Sequence, residues 1–210
     1  MLEDVRRTAR TYFDDRVGPA HDWRHVERVR SLAARLAAER DDVDETVLDL
    51  AVSLHDIGRP AEEAGEIDDH ATWGAAEARR ILDDRGADEG TIEAVAHCVL
   101  AHRYSNDVEP ETIEARILCD ADNLDALGAV GLARVFACAP VYGNPLYDST
   151  LPAELDESEA GRTSVNHVEK KILDLPDRMY TSGGRRLAAD RSAFVERFLG
   201  RFEAEVAGER

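Results

Sequence analysis

Four residues in this sequence combine metal-ligand chemistry with an inward-facing position on predicted helices. They are His25, His55, Asp56 and Asp122. Each stands three, four or seven residues from apolar residues, as His55 follows Val52 by three, and this spacing places it on an apolar helical face. A buried carboxylate without a cation is costly, and a neutral imidazole is a good ligand for divalent metals. The four residues therefore predict a site for a divalent metal ion.

Each of these residues also has an ordinary structural explanation. A histidine on an apolar face is usually a hydrogen-bonded core residue. The His55-Asp56 pair at a helix end can be favoured by the helix dipole, and Asp122 can belong to the acidic surface. The coincidence of all of them at inward-facing positions favours the metal site.

Length and composition limit the class of protein. The 210 residues can bury a sizeable core, so we expect a single domain. No run of about 18 apolar residues predicts a membrane span, and the N-terminus lacks an apolar signal core, so we expect a cytoplasmic protein. Three separate cysteines in apolar helical contexts are expected to be buried, reduced thiols: Cys98, Cys119 and Cys138.

The charge balance disfavours anionic macromolecules as partners. The net charge is −18, from 44 acidic and 26 basic residues. Such a surface repels nucleic acid duplexes and anionic membranes, so neither is an expected partner. Acids spread along the whole chain are typical of a halophilic protein, because salt screens their mutual repulsion. Only two of the 26 bases are lysines, the adjacent Lys170 and Lys171.

Apolar spacing predicts an all-α protein. Predicted helices cover about 5–13, 22–36, 44–58, 70–82, 91–102, 110–127, 132–139, 165–175 and 185–206, with Asp22 and Asp44 as N-caps. An acidic loop is predicted over 61–68. The stretch from Pro140 is rich in Gly, Pro, Asp and Ser and predicts a long, mobile loop over 140–163.

The motifs around the four residues resemble the HD superfamily of metal-dependent phosphohydrolases. That family carries one histidine, a later His-Asp pair and a distant aspartate, which correspond here to His25, His55 with Asp56, and Asp122. The matching segments are 21–29, 54–58 and 120–128, and segments 142–144 and 166–171 are similar to a subgroup of small stand-alone HD hydrolases. The resemblance implies an HD-domain helical bundle with a metal-binding core at about 17–139 and C-terminal helices at 164–210.

The resemblance also bears on the choice of ligands. Asp120, Asp122 and Asp125 are all candidates in the third motif, and the resemblance indicates Asp122, with Asp125 supporting the site from one turn further on. Some members of the superfamily bind a second metal through added histidines. His70 together with His97 or His102 could serve here, and His102 is preferred because it shares a helical face with Val95 and Val99. The alternative is that His70 caps a helix and His102 only forms a hydrogen bond, and we expect a single ion (Mn, Mg, Co, Ni or Fe).

Basic residues near the motifs are candidates for binding a phosphorylated substrate. They are Arg24, Arg103, Lys170 and Lys171; for the two arginines an ordinary surface ion pair is an equal alternative. Proton transfer could involve Asp56, His102, Asp125 or water on the metal. The resemblance implies hydrolysis of a small phosphate ester, above all a nucleotide, with cleavage of a phosphate or pyrophosphate bond.

Two other functions are compatible with the same residues. A metal-stabilised nucleotide-binding or sensor module would keep the four ligands but would not need a phosphate clamp. A di-iron oxygenase of the HD type would require His70 and a second added histidine as ligands. The sequence leaves the oligomeric state undetermined.

Overall fold

A computed structural model describes residues 1–13, 17–103 and 108–210. The described part contains helices and no strands, which confirms the predicted all-α class. The α-helices are α1 (Leu2–Arg10), α2 (Trp23–Ala37), α3 (Glu45–Leu54), α4 (Arg59–Glu63), α5 (His70–Asp83), α6 (Glu89–Ala101), α7 (Ile113–Asp125), α8 (Gly128–Tyr142), α9 (Ser164–His167) and α10 (Ser182–Val206). Two 3-10 helices, Ala153–Leu155 and Leu175–Arg178, and a π-helix, Val168–Ile172, complete the set. The chain divides into two compact units, Met1–Asp122 and Asn123–Arg210.

The core of the first unit is built around α3. This helix packs against α1, α2 and α6, and α5 packs against α6. Leu50 and Leu54 of α3 and Ile81 of α5 are fully buried. Each such side chain stabilises the fold by about 1.5–3 kcal/mol relative to an exposed one. The packing therefore fixes the C-terminal end of α3, where the predicted His-Asp pair begins.

Aspartate side chains cap four helices of the first unit. They are Asp22, Asp44, Asp69 and Asp88 at the N-termini of α2, α3, α5 and α6, and each accepts backbone N–H groups from the first turn. The predicted capping by Asp22 and Asp44 is confirmed. An N-cap of this kind contributes about 1 kcal/mol and sets the residue at which the helix starts. The caps thereby fix His25 and His70 in the first turns of α2 and α5.

In the second unit, α8 packs against α9 and α10, and the long helix α10 contacts the 3-10 helix Leu175–Arg178. Aromatic rings join these elements, since Phe136 of α8 lies 5.8 Å from Phe198 of α10. Arg191 of α10 donates a hydrogen bond to the carbonyl oxygen of Leu124. These contacts join the helices of the second unit.

Two predicted loop boundaries are wrong. The acidic loop was expected to start at 61, but α4 covers Arg59–Glu63 because Pro60 in its first turn favours a helix start. The long loop was expected from Pro140, but α8 continues to Tyr142. It ends at Gly143, whose φ of 69° lies in the left-handed region that favours glycine.

Two predicted helices differ in form from those observed. The helix expected over 165–175 is instead α9, a π-helix and a 3-10 helix in succession. Pro176 lies in the first turn of that 3-10 helix, where its missing N–H is tolerated. The last helix starts at Ser182, three residues earlier than expected, because the Thr181 side chain caps it through the Gly184 N–H.

Within the described ranges, no single helix is long and apolar enough to cross a membrane. The bent pair Ile113–Asp125 and Gly128–Tyr142 meets that criterion jointly, by length and composition only.

Candidate metal centre

The ends of helices in the first unit carry the candidate ligands. His55 and Asp56 directly follow the last residue of α3, and His102 directly follows the last residue of α6. His70 is the first residue of α5. The two remaining ligands, His25 and Asp122, lie within α2 and α7. Because each ligand is near a helix end or on a packed helix, the core determines its position.

The first group of donor atoms, called here the Asp122 cluster, consists of His25, His55 and Asp122. The Nε2 atoms of His25 and His55 are 3.3 Å apart, and His25 Nε2 is 3.3 Å from Asp122 Oδ1. Both histidines are fully buried, whereas the Asp122 side chain is 29% exposed. Solvent therefore reaches this cluster on the Asp122 side.

The second group, called here the His70 cluster, consists of Asp56, His70 and His102. The Nε2 atoms of His70 and His102 are 3.2 Å apart, and each lies 3.4 Å from Asp56 Oδ1. The other oxygen of Asp56, Oδ2, lies 3.5 Å from His25 Nε2 and 3.7 Å from His55 Nε2. Asp56 thus directs one oxygen toward each cluster.

The outer nitrogens of three imidazoles are held by protein acceptors. His55 Nδ1 lies 2.8 Å from the Val52 carbonyl oxygen, and His102 Nδ1 lies 2.6 Å from the Val99 carbonyl oxygen. His70 Nδ1 lies 2.9 Å from Glu62 Oε2. A carbonyl or carboxylate oxygen can only accept, so in each neutral ring the proton is on Nδ1 and the lone pair is on Nε2.

The local electrostatics favour the neutral forms of His55 and His70 and the ionised forms of Asp56 and Asp122. Burial lowers the pKa of His55 to about 4 and that of His70 to about 3. Burial opposes ionisation of Asp56, but His55 and Arg59 outweigh it and hold the pKa of that carboxyl well below its usual range. The pKa of Asp122 is likewise lowered, because its hydrogen bond and charge interaction with His25 outweigh burial. These are the protonation states that metal ligation requires.

The donor set fits divalent metal ions. Bonds of about 2.1 Å from a common ion separate neighbouring ligand atoms by about 3.0–3.4 Å, which matches the short contacts in both clusters. With the protons on Nδ1, the His70 and His102 lone pairs point at each other across 3.2 Å, and a cation resolves that conflict. His25, His55 and Asp122 would hold one ion and Asp56, His70 and His102 a second, with Asp56 near both.

A carboxylate that the sequence analysis missed stands behind the His70 cluster. Glu62 of α4 accepts from His70 Nδ1, from Arg59 at 3.0 Å and from Arg103 at 2.5 Å. Arg59 also lies 3.4 Å from Asp56 Oδ1, and its side chain is 25% exposed. Glu62 falls in the loop predicted over 61–68, and Arg59 falls between that loop and the helix predicted to end at 58. Their positions four and seven residues after His55, on a helix started by Pro60, were the available signal.

The other predicted site residues of the first unit do not contribute donor atoms to either cluster. Arg24 is exposed beside buried His25. Arg103 forms ion pairs with Glu62 and with Asp69, beside the His70 cluster. Asp120 is buried on α7 but belongs to neither cluster of described donors. His97 accepts a hydrogen bond from the Glu111 N–H at 3.1 Å, away from both clusters.

The second unit contains the remaining predicted residues. Asp125 is buried and accepts a 2.7 Å hydrogen bond from Arg134. Lys170 Nζ donates to the carbonyl oxygens of Asp156 and Ser158. Lys171 pairs with exposed Glu159 at 2.9 Å. To bind a phosphate, Lys170 would first have to leave the two carbonyls.

Comparison with known proteins identifies the family. The HD domain matches residues 22–127. The uncharacterized protein YpgQ of Bacillus subtilis is 30% identical over 212 residues, which cover 99% of this chain and 95% of YpgQ.

Solved structures of relatives share the fold over nearly all of this chain. An HD-superfamily hydrolase from Bacillus thuringiensis is 27% identical, with a TM-score of 0.76 and coverage of 98% of this chain and 96% of that one. The crystal structure of Bacillus subtilis YpgQ in complex with ADP is 25% identical, with a TM-score of 0.75 and coverage of 99% of both chains. His25, His55, Asp56 and Asp122 all lie within the matched residues 22–127, and the chain belongs to the HD domain family.

Proposed function

We propose that this protein is a metal-dependent phosphohydrolase whose substrate is a nucleotide or another small phosphate ester. The observation that carries the proposal is the convergence of four imidazole Nε2 atoms and two carboxylates into two adjacent clusters. The Nε2 lone pairs of His55, His70 and His102 face inward. Divalent ions at such donors lower the pKa of bound water and offset negative charge that develops on phosphate oxygens. The Asp122 cluster and the His70 cluster would each hold one ion, in place of the single ion expected from sequence.

The chain also supplies charge for an anionic substrate. Arg59 lies between Asp56 and Glu62 and keeps a quarter of its side chain exposed. Its guanidinium would contact a phosphate near both clusters by turning partly away from these carboxylates. An arginine can contact two phosphate oxygens at once, which positions as well as neutralises them. Arg24, exposed next to His25, is a second candidate. Because the chain carries a net charge of −18, these local cations matter for attracting an anion.

A nucleotide is the favoured substrate class because of the relatives. The crystal structure of Bacillus subtilis YpgQ in complex with ADP aligns with this chain over 99% of both chains. The motif resemblance to small stand-alone HD hydrolases indicates the same class. The exposed side of Asp122 offers a route by which the phosphate end of such a molecule can approach the clusters.

The test combines metal analysis with a substrate panel. The chain is purified metal-free and then supplied in high salt with Mn²⁺, Mg²⁺, Co²⁺ or Ni²⁺ and with nucleoside mono-, di- and triphosphates. We expect metal-dependent hydrolysis, and separate assays for phosphate and pyrophosphate identify the bond that is cut. His55→Ala and Asp56→Ala should each bind less metal and lose at least 100-fold in rate. Unchanged metal binding in both variants would contradict the proposal.

One observation favours a second candidate, a di-iron oxygenase of the HD type. That function requires added histidines, and His70 and His102 do lie together with Asp56. Two irons per chain in protein purified without oxygen, together with oxygen consumption in the absence of phosphate release, would favour this candidate. Metal and ligand binding without any turnover would instead favour a sensor module.

A further inference from the structure

Glu62 occupies a shared position between one histidine and two arginines. Its Oε2 lies 2.9 Å from His70 Nδ1 and 3.0 Å from Arg59 Nη1, and its Oε1 lies 2.5 Å from Arg103 Nη1. Oε1 also accepts from the His70 backbone N–H at 3.3 Å. The side chain is 17% exposed, so these contacts form in a largely desolvated place. Glu62 is the acceptor that keeps the proton of neutral His70 on Nδ1.

Arg103 competes for the same ring nitrogen. Its Nη1 lies 3.3 Å from His70 Nδ1, and Asp69 Oδ2 holds that guanidinium in place at 2.6 Å. An arginine nitrogen can only donate. It can therefore bond to Nδ1 only if Nδ1 carries the lone pair, which is the tautomer opposite to the one that Glu62 requires.

His102, the neighbour of His70 Nε2, can accept a hydrogen bond in this opposite tautomer. His102 Nδ1 donates to the Val99 carbonyl, so His102 Nε2 presents a lone pair to His70 Nε2 at 3.2 Å. If the proton of His70 moves to Nε2, it forms a hydrogen bond to His102, while Arg103 bonds to Nδ1. Both ring nitrogens of His70 then have a hydrogen-bond partner, but the lone pair needed for a metal is gone from the His70 cluster.

We propose that Glu62 is a positioning residue that sets the tautomer of His70 against Arg103 and thereby opens the His70 cluster to a metal ion. The inference rests on the proposed metal-dependent function and adds to it the residue that controls the second ion. The Asp122 cluster does not involve Glu62, so the effect is confined to one of the two sites.

The first measurement is the tautomer itself, in metal-free protein near pH 7. Nitrogen-15 NMR of labelled histidines distinguishes protonated from unprotonated ring nitrogens. We expect Nδ1–H for His70 in the parent and Nε2–H in Glu62→Leu. The matched control is Glu63→Leu on the same short helix, because Glu63 contacts Gly18 N–H and His21 and not His70. His70 should keep Nδ1–H in that control.

The second measurement is binding of Mn²⁺ by calorimetry and elemental analysis. We expect Glu62→Leu to lose roughly 10–100-fold in affinity for one of two ions and to keep the other. Arg103→Leu removes the competing donor, so it should hold the second ion at least as tightly as the parent. In the double variant the loss of affinity for the second ion should be smaller than in Glu62→Leu alone. A double-mutant cycle measures this coupling between Glu62 and Arg103.

Three results would overturn the proposal: Nδ1–H retained in Glu62→Leu, equal loss of both ions, or an Arg103→Leu variant as impaired as Glu62→Leu. The last result would mean that the Glu62–Arg103 ion pair merely supports the fold. If the parent binds one Mn²⁺ only, the two-ion part of the proposed function fails, while the NMR comparison still decides the role of Glu62.

Discussion

Gly58 allows α4 to approach the start of α5, and replacing it should damage one metal site selectively. Its φ of −85° and ψ of −14° are open to any residue, so Gly58→Ala introduces no backbone strain. A Cβ at this position would lie 2.6 Å from the His70 carbonyl oxygen and 2.9 Å from the His70 Cα. Both are backbone atoms that cannot rotate away.

The size of the effect follows from those distances. A tolerable contact of 3.0–3.4 Å requires the backbone around His70 to move by about 0.4–0.8 Å. Overpacking of this kind costs about 1–3 kcal/mol of the free energy of unfolding. Metal–ligand distances tolerate only about ±0.2 Å, so the His70 cluster should lose about tenfold or more in affinity.

Gly74→Ala is the matched control. Its Cβ would lie 3.4 Å from Val99 Cγ1, an ordinary contact, and Gly74 is inside α5. Replacing a helical glycine by alanine should stabilise by up to about 1 kcal/mol. Denaturant unfolding of the metal-free proteins and Mn²⁺ titration measure both effects. If Gly58→Ala matches Gly74→Ala in stability and in binding of both ions, the steric reasoning is wrong.

Two further predictions concern the second unit. Lys170→Ala should lower the free energy of unfolding by about 1–2 kcal/mol, because Lys170 Nζ donates hydrogen bonds to two loop carbonyls. Lys171→Ala should lower it by less than about 0.5 kcal/mol, because the ion-pair partner Glu159 is 92% exposed. Equal losses for the two variants in denaturant titrations would contradict this prediction. The buried Asp156 carboxylate accepts from Ser158, from the Arg162 N–H and from Asn166, and these bonds, chiefly that of Asn166, lower its pKa. A lowered folded-state pKa contributes stability above the unfolded-state value near 3.8 and loses it as the pH falls toward the folded-state value. The parent should therefore be more stable than Asp156→Asn at pH 7, with a difference that shrinks below about pH 4 in thermal unfolding; a constant difference would refute the assignment.

The sequence was sufficient to find the residues that lie on regular apolar patterns. His25, His55 and Asp122 each repeat the phase of neighbouring buried residues, and the structure brings their donor atoms together. Helix periodicity is a local property, so it survives without knowledge of the tertiary fold. The all-α class followed from the same patterns.

Periodicity placed His102 on the helical face of Val95 and Val99, but the pairing of His102 with His70 was suggested only by the resemblance to the HD superfamily. These residues are 32 positions apart, and their contact depends on how α5 and α6 pack beside the end of α3. Glu62 was hidden for a related reason, since a five-residue helix leaves too few positions for a period to be visible. The rarity of lysine drew attention to Lys170, but composition does not reveal a partner, and its ammonium lies on loop carbonyls.

The placements of His55, His102 and His70 explain why His70, unlike the other two, needs a carboxylate as the acceptor for its Nδ1 proton. The last carbonyls of a helix have no partner inside the helix. A histidine that directly follows the helix can use one of them, as His55 uses Val52 and His102 uses Val99, three residues earlier in each case. Their tautomers are therefore set by the helix ends themselves. His70 is the first residue of its helix, where backbone N–H groups and not carbonyls are exposed, so an acceptor must come from elsewhere. Glu62 supplies it, so under the proposed two-ion function the second ion would depend on one side chain of the five-residue helix α4.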